Sequence, residues 1–169
     1  METQVLDIER PGEKTLKTMG DVFYLMQRSA AHRAFTLGSL RQWWEPPLHL
    51  GQVWVFNVEG VPRAAVSWAK LSPEAERRYV SRRAPLRAED WRSGDIPWVI
   101  DWLSPYKNQT FEAMIGRWIR DTGFAEHHFR YMRLGTDGTP RRVVETHRAA
   151  SGKQAFRMMR AEEFGLAPA

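Results

Sequence analysis

The chain has 169 residues, 43% of them hydrophobic and 12% aromatic, a composition typical of a folded globular domain and not of a disordered segment. It contains no cysteine, which excludes disulfides, thiolate nucleophiles and cysteine-ligated metal sites. The formal net charge of +5 favours an acidic partner, whether a nucleic acid, an anionic membrane surface or an acidic protein.

Helical periodicity dominates the first fifty residues. Apolar residues recur at three- and four-residue spacing over residues 16–30, which predicts a helix that packs one face on a core. Ser29 and His32, three residues apart, are predicted to share a face at the end of this helix. A second helix should stop at Pro46-Pro47, because proline cannot continue a helix, and a loop should follow to Gly51.

Strand patterns begin after this loop. Two runs rich in β-branched and aromatic residues, 53–58 and 62–68, flank Glu59-Gly60 and predict a hairpin. Ser72-Pro73 has the residue types of an N-cap and a first helical position, so we expect a helix over residues 74–81.

The strand predicted at residues 96–103 is the most informative segment, because Asp101 lies in it among tryptophans and aliphatic residues. A carboxylate in an apolar interior is costly unless a cation, hydrogen-bond donors or water pair with it. Asp101 is therefore the first candidate functional residue. His32 is the best candidate partner, since a histidine and an aspartate are the minimal set for acyl transfer.

The last third of the chain mixes helical and strand patterns. Residues 111–119 carry apolar side chains at helical spacing and predict a helix closed by Gly123. A hairpin is predicted from residues 129–134 and 141–146, followed by a helix over about 153–164.

This order of elements predicts an α/β fold in a single domain, residues 15–169, after a flexible polar lead-in over residues 1–14. The mixed sheet flanked by helices resembles an acetyltransferase-like (GNAT-like) layout more than a doubly wound nucleotide fold. Neither a Walker pattern nor a Gly-x-Gly-x-x-Gly turn is present, so ATP and NAD chemistry are not expected. The coenzyme A loop of acetyltransferases is missing too, and the histidines lack metal-ligand spacing, so we expect neither a cofactor nor a metal.

Three segments of the chain resemble the RTX toxin-activating protein-lysine acyltransferases of the haemolysin-activating type. They are Ser29-Ala30-Ala31-His32-Arg33, then residues 65–72, then residues 89–106. The second segment contains Ser-Trp-Ala-x-Leu-Ser, and the third contains Asp-Trp-x-Ser-Gly-Asp-x-x-Trp-x-Ile-Asp-Trp. The resemblance spans residues 20–105; the chain departs from better-known members at Ala65 and in a shorter C-terminal tail.

The resemblance implies an enzyme that moves a fatty acyl chain from acyl carrier protein to internal lysines of an RTX-type protoxin, and so activates the toxin. It places the catalytic histidine on His32, the catalytic aspartate on Asp101 and a supporting residue on Ser29. The acylated carrier is then a co-substrate, the partners are acyl carrier protein and the protoxin, and a homodimer stays open.

The chemistry of this reaction suits those residue types. Lysine must be neutral to attack a thioester, and His32 is suited to take its proton near neutral pH. Asp101 would accept the other ring N–H of His32, fixing the tautomer and stabilising the imidazolium. Two other routes stay open, one through an acyl-histidine and one through an acylated Ser29.

Two interpretations from other classes compete with the enzyme. A small basic domain that binds single-stranded nucleic acid would explain the charge and the aromatic residues. However, the aromatic residues lie in apolar periodic stretches and not among the arginines. A noncatalytic carrier-binding module is disfavoured because both His32 and Asp101 are present. With no signal peptide or membrane-spanning run, we expect a cytoplasmic protein without stable membrane insertion.

Overall fold

The computed structural model describes residues 11–82, 85–106, 128–134, 140–148 and 154–164, together with Ala113 and Gly116. Four helices in this part of the chain are α1 (Glu13–Met26), α2 (Leu37–Trp43), α3 (Glu45–His49) and α4 (Pro73–Arg82). The strands are β1 (Val53–Val58), β2 (Val61–Leu71), β3 (Ile96–Leu103), β4 (Phe129–Leu134), β5 (Pro140–Arg148) and β6 (Gln154–Met159). Short 3₁₀ helices lie at Ala88–Trp91 and Ala161–Phe164.

The strands form one six-stranded sheet in the order β1-β2-β3-β4-β5-β6. Strands β1 and β2, β4 and β5, and β5 and β6 pair antiparallel, whereas β3 and β4 pair parallel. The α/β class and the mixed sheet are thereby confirmed. The residues divide into two units, the first comprising Met1–Ser67 with Trp102–Lys107 and the second Trp68–Asp101 with Asn108–Ala169.

The first unit has a hydrophobic cluster to which all three of its helices contribute, directly or at its margin. Its buried members are Val22, Leu25, Met26, Trp44, Leu48, Ala65 and Leu103. The predicted hairpin is confirmed as β1 and β2. Its turn, Glu59-Gly60, has φ values of 51° and 76°, so both central residues adopt the left-handed conformation that a two-residue hairpin turn requires.

Two local predictions in the first unit differ from the structure. Helix α1 ends at Met26, so residues 27–30 do not continue it, and Ser29 and His32 lie on the following turns. The second helix, predicted to stop at Pro46-Pro47, ends at Trp43, and the two prolines lie in the first turn of the short helix α3 instead of leading into the predicted loop to Gly51. Proline fits there because the first N–H groups of a helix have no acceptor within the helix.

In the second unit, the start of α4 is as predicted, since the backbone N–H of Ala75 donates to Ser72 Oγ at 3.2 Å. The structure explains why the third segment of the family resemblance, residues 89–106, has a glycine at position 94. A Cβ at this position would lie 2.7 Å from backbone atoms of Leu71 and Ser72. The close approach is fixed by a hydrogen bond from Gly94 N to Lys70 O at 3.2 Å. Only glycine allows this contact without backbone movement.

A charge network ties α4 to β3, β4 and β5 in the second unit. Arg130 pairs with Glu76, and its Nη2 lies 2.8 Å from Glu145 Oε1. Trp98 donates its indole N–H to Glu76 at 2.9 Å, and His128 Nε2 lies 3.0 Å from Glu145. Arg130 therefore pairs with both buried carboxylates of this network, Glu76 and Glu145, as burial of charge requires.

The prediction of a helix over residues 153–164 is wrong. Residues Gln154–Met159 form β6, which pairs with β5, and only Ala161–Phe164 make a 3₁₀ turn. Met159 is buried while Met158 is 45% exposed, the alternation of a strand. The helix predicted over 111–123 lies outside the described residues, except that Ala113 and Gly116 are helical. Residues 1–10 of the predicted lead-in lie outside the described residues and stay a prediction, whereas the end of the lead-in is wrong because Glu13 and Lys14 already belong to α1.

Candidate active site

His32 lies on the turns that follow α1 and is buried, with 8% of its surface exposed. Its backbone N–H donates to Ser29 O at 3.1 Å, and its own carbonyl accepts from Phe35 N at 2.8 Å. The rings of His32 and Phe35 contact each other with centroids 5.2 Å apart. These contacts hold the imidazole in one place relative to the end of α1.

Ser29 and His32 are brought together, as the sequence predicted, but by a turn and not by a helix face. Ser29 Oγ lies 2.7 Å from His32 Nδ1, and Ser29 is 7% exposed. Either the hydroxyl donates to Nδ1 or the protonated Nδ1 donates to the hydroxyl oxygen. In the first case Nε2 carries the proton; in the second Nε2 holds the lone pair of a base.

Asp101 lies near the end of β3, in the second unit. It is partly buried, and the next residue, Trp102, is 38% exposed. The preceding carbonyl, that of Ile100, accepts a hydrogen bond from the hydroxyl of Tyr79 at 3.3 Å, which ties β3 to α4. Asp101 is thus less enclosed than the apolar sequence around it suggested. Its pairing with His32 stays a prediction.

An arginine–tyrosine cluster in the first unit was not found from the sequence. The Arg28 guanidinium lies 3.5 Å from the centre of the Tyr24 ring, and that of Arg63 lies 5.1 Å from the Tyr106 ring. Burial raises the pKa of Tyr106, as does its hydrogen bond with Tyr24, although both arginines act in the opposite direction. The cluster joins α1, β2 and the segment after β3, a combination that no spacing along the chain reveals.

Both arginines of this cluster have an aromatic ring as a neighbour. Within the described part of the chain, neither Arg28 nor Arg63 forms an ion pair with a carboxylate. Arg28 directly precedes Ser29, and its Nη1 donates to the carbonyl of Tyr24 at 2.8 Å. A guanidinium stacked on an aromatic ring keeps its donors free at the edge for carboxylate or phosphate.

Residues 12–148 match the family model described as the RTX toxin acyltransferase family. The chain is 33% identical over 131 residues to the RTX-I toxin-activating lysine-acyltransferase of Actinobacillus pleuropneumoniae, covering 78% of this chain and 74% of that protein. It is 32% identical over 136 residues to the leukotoxin-activating lysine-acyltransferase of Aggregatibacter actinomycetemcomitans, covering 80% and 79%. It is 30% identical over 141 residues to a protein-lysine myristoyltransferase of Escherichia coli, covering 83% and 81%.

The family match and these relatives define the chain as an acyltransferase. The chain belongs to the RTX toxin acyltransferase family. The resemblance read from the sequence is confirmed, and the match includes Ser29, His32 and Asp101. The nucleic-acid interpretation gains no support. Among the described residues, no helix has the length and apolar character needed to cross a bilayer.

Proposed function

We propose that this protein transfers a fatty acyl chain from acyl carrier protein to the ε-amino group of internal lysines in an RTX-type protoxin, and so activates it. The observation that carries the proposal is the family match across residues 12–148, which contains the hydrogen-bonded Ser29–His32 pair. An acetyltransferase-like arrangement, a cytoplasmic location and the lack of a resident cofactor or metal belong to the same proposal. A homodimer stays open.

In the transfer, the lysine nitrogen forms a bond to the thioester carbon, the carbon–sulfur bond breaks, and the carrier leaves as its thiol. A base must take the proton that the lysine loses. When Nδ1–H of His32 donates to Ser29, Nε2 carries the lone pair that takes this proton and returns it to the leaving thiolate. Asp101 then supplies the negative charge that stabilises the imidazolium.

The same geometry supports a second route. If Asp101 accepts Nε2–H, the Ser29 hydroxyl donates to Nδ1, which is the order of groups in a Ser-His-Asp triad. Ser29 Oγ would then attack the thioester carbon while Nδ1 takes its proton and passes it to the sulfur, so that the carrier leaves as its thiol. The lysine nitrogen would next attack the ester carbon, with its proton returning through Nδ1 to the departing Ser29 oxygen. The two routes differ in one observable: only the second leaves an acyl group on Ser29 when the protoxin is withheld.

The donor is acyl carrier protein in this proposal because of charge. The chain carries a net +5, and Arg28 and Arg63 lie in the unit that contains His32. An acidic carrier and its phosphate-bearing arm suit such a surface, whereas the loop that would bind the pyrophosphate of coenzyme A is missing.

The test is co-expression with an RTX protoxin, followed by mass spectrometry of its lysines. We expect acylated lysines with the parent protein and none with His32→Ala, because the imidazole moves the proton. His49→Ala, at the end of α3 in the same unit, is the matched control and should keep activity. Circular dichroism confirms folding of each variant; acylation by folded His32→Ala and His32→Gln would contradict the assignment.

A further inference from the structure

A groove lined by apolar side chains lies between α1, α2 and α3 in the first unit. Its volume is about 550 Å³, within the range of about 300–1,000 Å³ seen for small-molecule sites. Three of its lining residues are large and exposed: Leu16 at 52%, Phe23 at 48% and Leu37 at 79%. An apolar patch of this kind on a folded protein indicates a binding surface.

The polar groups of the groove indicate what it does not bind. Arg41 and Glu45 are its charged lining residues among those described, and they pair with each other at 3.4 Å. The other lining side chains are apolar, Trp44 and Leu48 among them. A ligand with donors and acceptors along its length would leave them unsatisfied here, which is costly. The groove therefore suits a ligand that is hydrocarbon along its length.

Gly20 provides an independent observation. It lies in the middle of α1, where glycine is less favourable than alanine, yet a Cβ placed on it would meet no heavy atom within 4 Å. Packing within the described protein therefore does not require a glycine. Because Gly20 lines the groove, the space that a side chain would fill is space available to a ligand.

We propose that this groove binds the fatty acyl chain during transfer, an inference that rests on the proposed function. A methylene group is close in size to a water molecule, which occupies about 30 Å³ in the liquid, so a fourteen-carbon chain needs about 420 Å³. The groove can hold such a chain. An extended alkyl chain has no polar group to satisfy, which matches the lining.

The groove also belongs to the part of the protein that carries the candidate histidine. Helices α1 and α2 flank the turns that hold Ser29 and His32. Phe35 contacts the His32 ring and packs against the cluster that includes Trp44 and Leu48, which also line the groove. An acyl chain bound there lies against the same packed side chains that support His32.

The experiment narrows the groove at Gly20 and measures chain-length preference. Acyl carrier proteins loaded with eight- and sixteen-carbon chains are compared, and the readout is the ratio of their kcat/KM values. We expect Gly20→Leu to lower the ratio of long-chain to short-chain transfer at least about tenfold, since a methylene in an apolar pocket is worth about 10- to 200-fold. Gly20→Ala should lower it less. Lys14→Leu, which places a leucine on α1 outside the groove, should leave it unchanged.

Thermal melts accompany each variant, and both substitutions at Gly20 should preserve or raise the melting temperature because they favour helix. An unchanged ratio in folded Gly20→Leu overturns the proposal. If Gly20→Leu loses protoxin binding while its ratio of long-chain to short-chain transfer is unchanged, the groove binds a peptide and the proposal is overturned. Should the parent transfer neither chain, the proposed function fails, and binding of a fluorescent fatty acid by the parent but not by Gly20→Leu still supports the groove.

Discussion

His32 has one ring nitrogen whose neighbour is fixed by the local fold. Ser29 Oγ lies 2.7 Å from Nδ1, so the direct route, in which Ser29 is not acylated, has to use Nε2 for proton transfer to or from lysine. From the sequence, the role of orienting the imidazole fell to Asp101 alone. The structure adds Ser29 as a hydrogen-bond partner of Nδ1, which the turn over residues 29–32 brings close to the ring.

Asp101→Asn tests the role of the carboxylate. The amide keeps the shape but loses the charge that stabilises an imidazolium, so we expect single-turnover acylation to fall by roughly 10²- to 10⁴-fold, the upper figure being the loss seen when a serine-protease triad aspartate is changed to asparagine. Stopped reactions analysed by mass spectrometry give the rate, and a thermal melt on the same preparation gives stability.

The matched control for this change is Asp95→Asn, which alters an exposed aspartate in the same sequence segment. It should retain near-parental rates. If Asp101→Asn lowers the melting temperature while the folded fraction acylates normally, Asp101 is a structural residue and its pairing with His32 must be abandoned.

The sequence predicted correctly which candidate residues are neighbours only where they are close in the chain. Ser29 and His32 are three residues apart, and any turn or helix brings such residues together. The Arg28, Tyr24, Arg63 and Tyr106 cluster combines residues from three elements, and its formation depends on tertiary packing that leaves no periodic signal. For the same reason, spacing along the chain could not indicate whether Asp101 meets His32.

At the level of elements, the sequence predictions were wrong where strand pairing or the special chemistry of a helix N-terminus outweighed the local sequence pattern. Residues 154–159 contain methionine, alanine and arginine, which favour helix, yet the edge of β5 offers a full ladder of backbone hydrogen bonds. In α3, Pro46 and Pro47 were read as helix stops, although proline is tolerated in the first turn. The hairpin of β1 and β2 was predicted correctly because its turn and alternation are local.

The charge network around Glu145 leads to a prediction about how the stability of the fold depends on pH. Burial alone would raise the pKa of Glu145, but hydrogen bonds and charge from His128 and Arg130 outweigh it and lower the pKa. A carboxyl with a lowered folded pKa stabilises the fold above its unfolded pKa. This contribution is therefore complete above the ordinary value of 4.5 and is lost as the pH falls below it.

Glu145→Gln should reduce the free energy of unfolding at pH 7 by about 1–3 kcal/mol, the cost of leaving a hydrogen bond to a charged group unmade. Urea titrations of parent and variant at pH 7 and pH 3 measure the difference, which should shrink at pH 3. Glu89→Gln is the control, since its carboxylate is 70% exposed and lies 3.9 Å from Arg87; it should cost less than about 1 kcal/mol. An equal Glu145→Gln effect at both pH values contradicts the network.

On the scale of the molecule, the proposed donor would be recognised in two ways. The net +5 charge would attract an acidic carrier over a distance, while the groove beside α1 would select the acyl chain that the carrier delivers. Charge mainly sets association rate, and apolar contact mainly sets chain selectivity. Salt screens the charge and not the apolar contact, so varying the salt concentration separates the two contributions to donor recognition.

Carrier binding should weaken as ionic strength rises, because the screening length shrinks from about 10 Å at 0.1 M salt to about 3 Å at 1 M. Calorimetry with the acylated carrier at both concentrations measures the effect. The double variant Arg28→Gln, Arg63→Gln should bind several-fold more weakly at low salt and show a shallower salt dependence.

The control Arg141→Gln, Arg142→Gln removes the same charge from exposed positions on β5. If only the Arg28→Gln, Arg63→Gln variant loses affinity for the carrier, the carrier binds at the arginine–tyrosine cluster. If both double variants lose affinity equally, the effect comes from net charge alone. Because no coenzyme A loop is present, acyl-coenzyme A should turn over far more slowly than the acylated carrier. Comparable turnover with the two donors, or carrier binding indifferent to salt, would contradict a carrier-specific enzyme.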